Sequence, residues 1–211
     1  MFSNHNPKIN HFAQRSPDNL FLVVMMVSLS IQQKWVLVGD MMVDMKQNKL
    51  DSKFIWGNKK NTYKYISTHK HFIYGQMMAV INSNKSDTSK SHSLMKIFLQ
   101  IDGLGLAKAG FVCQLVAGLV GCIDVHNIKQ YNIKPDLLVY NKTVKTKRGQ
   151  EANEKRLQEY VALCEIYTSE RLWNAWCALI ADKYPKDFLD DYHVSELHYT
   201  YLTKEQHYGI V

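Results

Sequence analysis

Half of the glycines in this chain lie in one apolar stretch, residues 99–127, which constrains the fold more than any other feature. It reads LQIDGLGLAKAGFVCQLVAGLVGCIDVHN and holds five of the ten glycines. Glycine has no Cβ atom, so the backbone can turn sharply there and approach a neighbour closely. The apolar spacing at 93–100 and 110–117 is typical of two short helices. The stretch therefore predicts two packed helices joined by a tight turn at IDGLGLAKA.

The composition is that of a compact, reduced and basic protein. Of the 211 residues, 46% are hydrophobic and 21% are charged, which predicts a folded globular unit rather than a disordered chain. The net charge of +7 and the pI near 9.1 suit a polyanionic partner. The four cysteines form no CxxC pair and lie among apolar residues, as reduced thiols do. We therefore expect a cytoplasmic location, which for a viral protein is the host cytoplasm.

The chain is predicted to form a single helical domain over 19–211, after a polar tail at 1–18. The β-branched segment 20–46 predicts buried helices with a break at Gly39, and strand is the alternative. Its most apolar part, LFLVVMMVSL, is too short to span a bilayer, so we expect no membrane partner. The polar segment 82–93 is expected to be a linker.

Two amphipathic helices are predicted near the C-terminus. Apolar residues repeat at helical spacing over 157–164 and again over 172–180. Thr168 or Ser169 is the expected N-cap of the second helix, and Pro185 follows its expected end. With helices predicted throughout, the fold class is all-α.

The closely spaced Gly103 and Gly105 precede a helix whose first N–H groups have no partner within it. Such a helix start favours negative charge, and Lys108 in its first turn adds a positive charge. The residues therefore predict an anion site. The stretch lacks the strand and the acidic residue of a dinucleotide-binding loop, and it lacks the Gly-Lys-Ser/Thr of a P-loop. A P-loop is thus excluded, and a dinucleotide-binding loop is a poor match.

The same residues resemble the helix-hairpin-helix DNA glycosylases, the superfamily that includes endonuclease III and 8-oxoguanine glycosylase. The hairpin pattern is apolar-x-Gly-apolar-Gly-x-x-x-Ala, matched by 101–105 together with Ala109. Gly118 and the apolar-Asp-x-His signature at 123–126 follow in the same order. The match is confined to 99–127. It implies an all-α, glycosylase-like helical bundle with the helix-hairpin-helix at about residues 93–117.

DNA binding, with chemistry on a base turned out of the duplex, is what the resemblance implies. Gly103, Leu104, Gly105 and Lys108 would contact the DNA backbone, and Asp124 would be the catalytic carboxylate. No cofactor is implied, although members of the family often hold a monovalent cation at the hairpin. The four-cysteine signature of some members is absent, so no iron–sulfur cluster is expected.

Two departures from the family pattern limit the chemistry that we expect. The family's lyase lysine stands two residues after the second glycine, where this chain has Ala107. Lys108 points elsewhere, because one helical step turns the side chain by ~100°. Asp102 replaces the hairpin proline, and its negative charge close to the phosphate weakens phosphate binding. We therefore expect either a monofunctional N-glycosylase or modified-base-processing enzyme of bacteriophage type, or a DNA-binding module without activity.

The basic run Lys142, Lys145, Lys147 and Arg148, in an exposed loop after Pro135, is the expected second DNA contact. A solvated charged loop is the alternative.

Residues 53–74 alternate basic and aromatic side chains, a mixture that holds phosphate and stacks bases. Tyr63, Tyr65 and Tyr74 are the expected stacking residues, and surface helices with core-facing aromatics are the alternative. The tryptophan pair WNAW in the last predicted helix is assigned to the core.

Each of these site residues also has a purely structural interpretation. Asp124 precedes a helix and fits an N-cap, either alone or together with catalysis. Gly103 and Gly105 also fit close helix packing in a structural or interaction protein, which is the alternative to DNA binding. His69 and His71 have no other ligands nearby, so no metal site is expected.

Overall fold

The computed structural model describes residues 7–34, 37–181 and 199–203, and across these ranges the regular structure is helical, which confirms the all-α class. The helices are α1 (Pro7–Ala13), α2 (Pro17–Leu29), α3 (Val38–Asn48), α4 (Asn58–Ile81), α5 (Asp87–Leu99), α6 (Leu106–Ala117), α7 (Val125–Gln130), α8 (Lys147–Tyr167) and α9 (Ser169–Ala181). Short 3-10 turns follow α3 at Lys49–Asp51 and α7 at Pro135–Leu138.

Helix α2 lies at the centre of the core. Ser16 caps it by accepting from the Asn19 N–H (3.1 Å), and Pro17 is its first residue, which suits the fixed φ of proline. Its side chains from Val23 to Leu29 are all buried, and it packs against α1, α3, α4 and α6. In the described part of the chain, no helix is both long enough and apolar enough to cross a membrane.

The segment expected to be a polar tail begins the fold instead. Residues 7–18 form α1 and the start of α2. Ile9 and Ala13, one helical turn apart, are buried against the core. The Asn10 side-chain amide donates to the Leu115 carbonyl (2.5 Å), which fixes α1 to the last turn of α6. Residues 1–6 lie outside the described ranges.

Two predicted boundaries differ from the structure. Helix α3 begins at Val38, so Gly39 lies in its first turn and packs against the Tyr201 ring rather than marking a break. Ser86 caps α5 by accepting from the Ser89 N–H (3.3 Å), so the segment expected to be a linker is half helical. The two helices that flank the glycine turn, α5 and α6, consequently span residues 87–117.

Helices α8 and α9 form as predicted and meet at a sharp corner. Thr168 has φ +60° there, and its hydroxyl accepts from the Arg171 N–H (3.2 Å), so it is the N-cap of α9. Leu157 and Cys164 are buried on α8, and Leu172 is buried on α9. The side chains of residues 179–180, and Pro185, lie outside the described part.

Helices α5 and α8 are antiparallel neighbours. Lys96, near the end of α5, forms an ion pair with Glu154, near the start of α8 (3.0 Å). Thr88, near the start of α5, donates to Glu165, near the end of α8. The N-terminus of α8 therefore lies at the end of the bundle where α5 runs into the hairpin.

Helix α4 also begins at this end, because the Thr62 hydroxyl in its second turn donates to the Asp102 carbonyl in the hairpin (2.7 Å). Helix α6 starts directly after the hairpin. The positive dipole ends of α4, α6 and α8 thus lie together. We call this part of the molecule the hairpin end, defined as the hairpin 100–105, the first turns of α4, α6 and α8, and the loop 141–146.

Candidate nucleic-acid interface

The glycine hairpin closes as a four-residue turn between α5 and α6. The Leu104 N–H donates to the Ile101 carbonyl (3.2 Å), and Gly103, the third residue of the turn, has φ +84°. This left-handed conformation favours glycine at that position. The Leu104 side chain is buried. Leu104 therefore holds the hairpin together, and neither its side chain nor its N–H is available to a ligand.

Gly103 packs directly against α4. A Cβ atom at this position would collide with the Thr62 hydroxyl oxygen and with the Asn58 carbonyl oxygen. Close approach of two backbone segments needs a residue without a side chain. The helix-packing interpretation therefore holds for Gly103.

Gly105, in contrast, faces open space. It is exposed, it is the N-cap of α6 in an extended conformation, and a Cβ atom there would meet nothing within 4 Å. No side chain caps α6, and across the described residues no acceptor is paired with the N–H groups of Leu106, Ala107 or Lys108. The start of α6 consequently presents unpaired donors and a positive dipole end.

Lys108 is half-buried in this first turn. Its ammonium lies 3.4 Å from the Ser30 hydroxyl and 5.7 Å from the centre of the Phe111 ring. Its positive charge acts on Lys59 of α4, and burial together with this repulsion lowers the pKa of Lys59. Two lysines from different helices therefore lie within electrostatic reach of each other.

Asp124 is the N-cap of α7, as its place in the sequence predicts. One carboxylate oxygen accepts from the His126 N–H (2.9 Å) and the Asn127 N–H (3.1 Å). Burial raises the pKa of the nearby Cys122 thiol, the Asp124 charge raises it further, and the Lys108 charge opposes them. The carboxylate and the Lys108 ammonium therefore both act electrostatically on the same thiol.

The basic loop lies against the hairpin. The Lys142 ammonium donates to the Ile101 carbonyl (2.6 Å), across 41 residues of sequence. The Asn153 amide donates to the Asn141 carbonyl (2.8 Å) and accepts from the Asn141 N–H (3.3 Å), which ties the loop to α8. Burial of the ammonium lowers the pKa of Lys142 to about 8, although the charge of Asp102 opposes this shift.

All four basic residues of the predicted run are exposed, and the other three lie at or just before the start of α8. Lys145 lies in the loop, whereas Lys147 and Arg148 are the first two residues of the helix. Thr146 caps the helix by accepting from the Gly149 N–H (3.3 Å). The structure thus brings the basic run to the hairpin end.

The aromatic side chains follow the alternative interpretation, in which they pack against the core. The three tyrosines expected to stack on bases contact residues of the fold: Tyr63 meets Phe21 edge-on, Tyr65 stacks on His69, and the Tyr74 hydroxyl donates to the Gln14 carbonyl. Trp173 is buried against Phe111, in keeping with its assignment to the core.

Sequence reasoning missed Trp56 beside the hairpin, and it counted Lys59 among the phosphate-holding residues of 53–74 without linking it to the hairpin. Trp56 is exposed, and Lys59 is almost fully buried in the first turn of α4. Their signal is the basic and aromatic alternation that begins at Lys53, but the sequence does not show that this segment meets the hairpin.

Within the ranges that the structure describes, no three His, Cys, Asp or Glu side chains are grouped as metal ligands. His69 and His71 lie on exposed parts of α4.

Comparison with known proteins adds no relative. No protein-family model, no curated protein and no solved structure matches this chain.

Proposed function

We propose that the hairpin end binds DNA through its phosphate backbone. One observation carries this proposal: the 2.6 Å hydrogen bond between the Lys142 ammonium and the Ile101 carbonyl. It joins the basic loop to the glycine hairpin, so that two contacts predicted from separate parts of the sequence belong to one surface.

The chemistry of this surface suits a row of phosphates. The first turns of α4, α6 and α8 supply positive dipole ends, and α6 in addition has unpaired N–H groups behind Gly105. Lys108, Lys145, Lys147 and Arg148 supply full charges. Contacts of this kind give an affinity that does not depend on the base sequence of the DNA, and they weaken as the salt concentration rises.

No cofactor is needed for this role. The resemblance to helix-hairpin-helix proteins allows a monovalent cation at the hairpin. In this chain the Lys142 ammonium already supplies one positive charge to a hairpin carbonyl.

Fluorescence anisotropy with a short labelled duplex tests the proposal. We compare the double variant Lys145→Glu, Arg148→Glu with the control Lys85→Glu, Arg171→Glu, whose residues lie before α5 and at the start of α9, away from the hairpin end. Each pair lowers the net charge from +7 to +3. We expect the first pair to weaken binding at least about 10-fold more than the control. Equal effects, or no binding by the unmodified protein, would leave the structural or interaction role of the glycines.

Base-processing chemistry at Asp124 is the second candidate function. The observation that favours it is a half-exposed carboxylate at the start of α7, whose charge, like that of Lys108 in the first turn of α6, acts on Cys122. One carboxylate oxygen caps α7, and across the described residues the other has no hydrogen-bond donor. A carboxylate held ionised by a helix start can stabilise a cationic sugar during loss of a base. No lysine stands in the lyase position, so we propose a monofunctional reaction.

The test is base release from duplexes that carry a panel of damaged and modified bases. Asp124→Asn keeps a good N-cap and removes the charge, whereas Asp124→Ala removes both and is expected to cost about 1 kcal/mol of stability. We expect Asp124→Asn to retain DNA binding and to lose base release. Unchanged release in Asp124→Asn would contradict the catalytic role, and no release by the unmodified protein would favour a DNA-binding module without activity.

A further inference from the structure

A buried lysine lies beside the hairpin without an acceptor. The Lys59 side chain is only 5% exposed, in the first turn of α4, and across the described residues no hydrogen-bond acceptor is paired with its ammonium. Buried ammonium groups normally have acceptors, because an unsatisfied charge loses its hydration without compensation. Lys59 therefore has no anionic partner among the described residues, and its ammonium lies over the Trp56 ring instead.

A second positive charge acts on Lys59. Lys108, in the first turn of α6, lies close enough for its charge to act on Lys59, and in the described ranges neither amine forms an ion pair with a carboxylate. The unpaired N–H groups at the start of α6 belong to the same turn as Lys108. Two like charges and a helix N-terminus repel one another unless an anion lies between them.

An exposed indole lies next to these charges. The Lys59 ammonium is 5.4 Å from the centre of the Trp56 ring, and Trp56 remains 59% exposed. An indole ring that is open to solvent offers a face on which a nucleic-acid base can stack. The distance between ammonium and ring spans two parts of one nucleotide, a phosphate and the base that the sugar joins to it.

We propose that Lys59, Lys108 and the start of α6 bind one phosphate group, and that the unpaired base of the same nucleotide stacks on Trp56. The site would take a nucleoside phosphate, either as an unpaired nucleotide of DNA or as a free nucleotide. This inference rests on the proposed DNA binding and specifies it: the protein prefers DNA with an unpaired base at the hairpin end. Stacking on an aromatic ring tolerates any base, so the preference is for strand state rather than for sequence.

Trp56→Ala is the main test, and Phe72→Ala is its matched control. Both side chains are large, aromatic and about equally exposed, at 59% and 60%, but Phe72 lies more than halfway along α4, away from the hairpin. Binding is measured by anisotropy with a single-stranded oligonucleotide and with a blunt duplex of the same sequence. We expect Trp56→Ala to weaken single-strand binding roughly 10-fold with little change for the duplex, and Trp56→Phe to restore much of the affinity. Phe72→Ala is expected to change neither.

Lys59→Met tests the phosphate contact separately. Methionine fills the same apolar space, so a thermal melt should show no loss of stability, while single-strand affinity falls. Isothermal titration with thymidine monophosphate and with thymidine distinguishes a free nucleotide from one held in DNA. Binding of the monophosphate but not of the nucleoside, abolished by Lys59→Met, supports a free-nucleotide site.

The outcomes separate this inference from the proposed function. If Lys145→Glu, Arg148→Glu abolishes DNA binding while Trp56→Ala and Lys59→Met change nothing, the hairpin end binds DNA and the nucleotide site is wrong. If the protein binds no DNA but binds the monophosphate through Lys59, the proposed function fails and the site stands as a free-nucleotide site. Equal weakening of single-strand and duplex binding by Trp56→Ala would overturn the unpaired-base preference.

Discussion

Lys142 shows how one residue can link the fold to a charge-dependent function. Its ammonium binds the Ile101 carbonyl, and this partly buried position lowers its pKa from the ordinary 10.5 to about 8. Because the folded protein then binds fewer protons than the unfolded chain between these two values, this group makes folding more favourable as pH rises through that range. The same rise in pH removes a positive charge from the hairpin end.

The pH dependence of DNA binding follows from this residue. Between about pH 7 and about pH 9 we expect the affinity of the unmodified protein to fall as Lys142 loses its proton. Lys142→Arg keeps its charge over the whole range, so its affinity should stay nearly constant there. Anisotropy titrations at fixed ionic strength measure both profiles. Parallel profiles for the two proteins would show that Lys142 does not act as a charge in binding.

At the scale of the element, the hairpin uses its two glycines differently. Gly103 combines φ +84° with contact against α4, whereas Gly105 has an ordinary φ and open space around it. The repeated Gly-x-Gly pattern hides this difference, because it depends on a helix that begins more than forty residues earlier in the chain.

Substitution by alanine should separate the two positions. We expect Gly103→Ala to cost about 2 kcal/mol or more of unfolding free energy, because left-handed backbone strain and a collision with Thr62 act together. Gly105→Ala should cost less than about 1 kcal/mol, since it changes only a weak helix cap. Urea unfolding followed by circular dichroism gives both values. A larger destabilisation at Gly105 would contradict the packing seen at Gly103.

The elements that the sequence predicts well are those that depend on local chemistry. The Asp124 and Thr168 caps, the hairpin turn and the two C-terminal helices follow from side chains within a few residues of one another. Helix α1 escapes prediction because its seven residues place only two apolar side chains, Ile9 and Ala13, in the core, within a polar segment. The start of α5 escapes prediction because its first turn is polar and exposed.

At the scale of the whole molecule, the candidate site depends on how helices are arranged, which the local sequence does not encode. The approach of Lys142 to Ile101 and of Lys59 to Lys108 requires α4, α6 and α8 to begin at one end of the bundle. That arrangement results from antiparallel packing along the core, set by buried side chains far from the site. The residue types of a phosphate-binding surface are therefore visible in the sequence, but their assembly into one surface is not.

A net charge of +7 attracts DNA over the whole surface of the protein. The last prediction distinguishes this diffuse attraction from binding at one site. If phosphates bind only at the hairpin end, removing one phosphate-binding side chain there lowers the slope of log affinity against log salt by about 0.9. Lys145→Gln, Lys147→Gln should therefore lower the slope by roughly 2, whereas Lys85→Gln, Lys129→Gln, which removes the same charge elsewhere, should leave it unchanged. Anisotropy titrations between about 50 and 200 mM salt give the slopes. Equal slopes for the two double variants would mean that the whole basic surface, rather than the end at which three helices begin, attracts DNA.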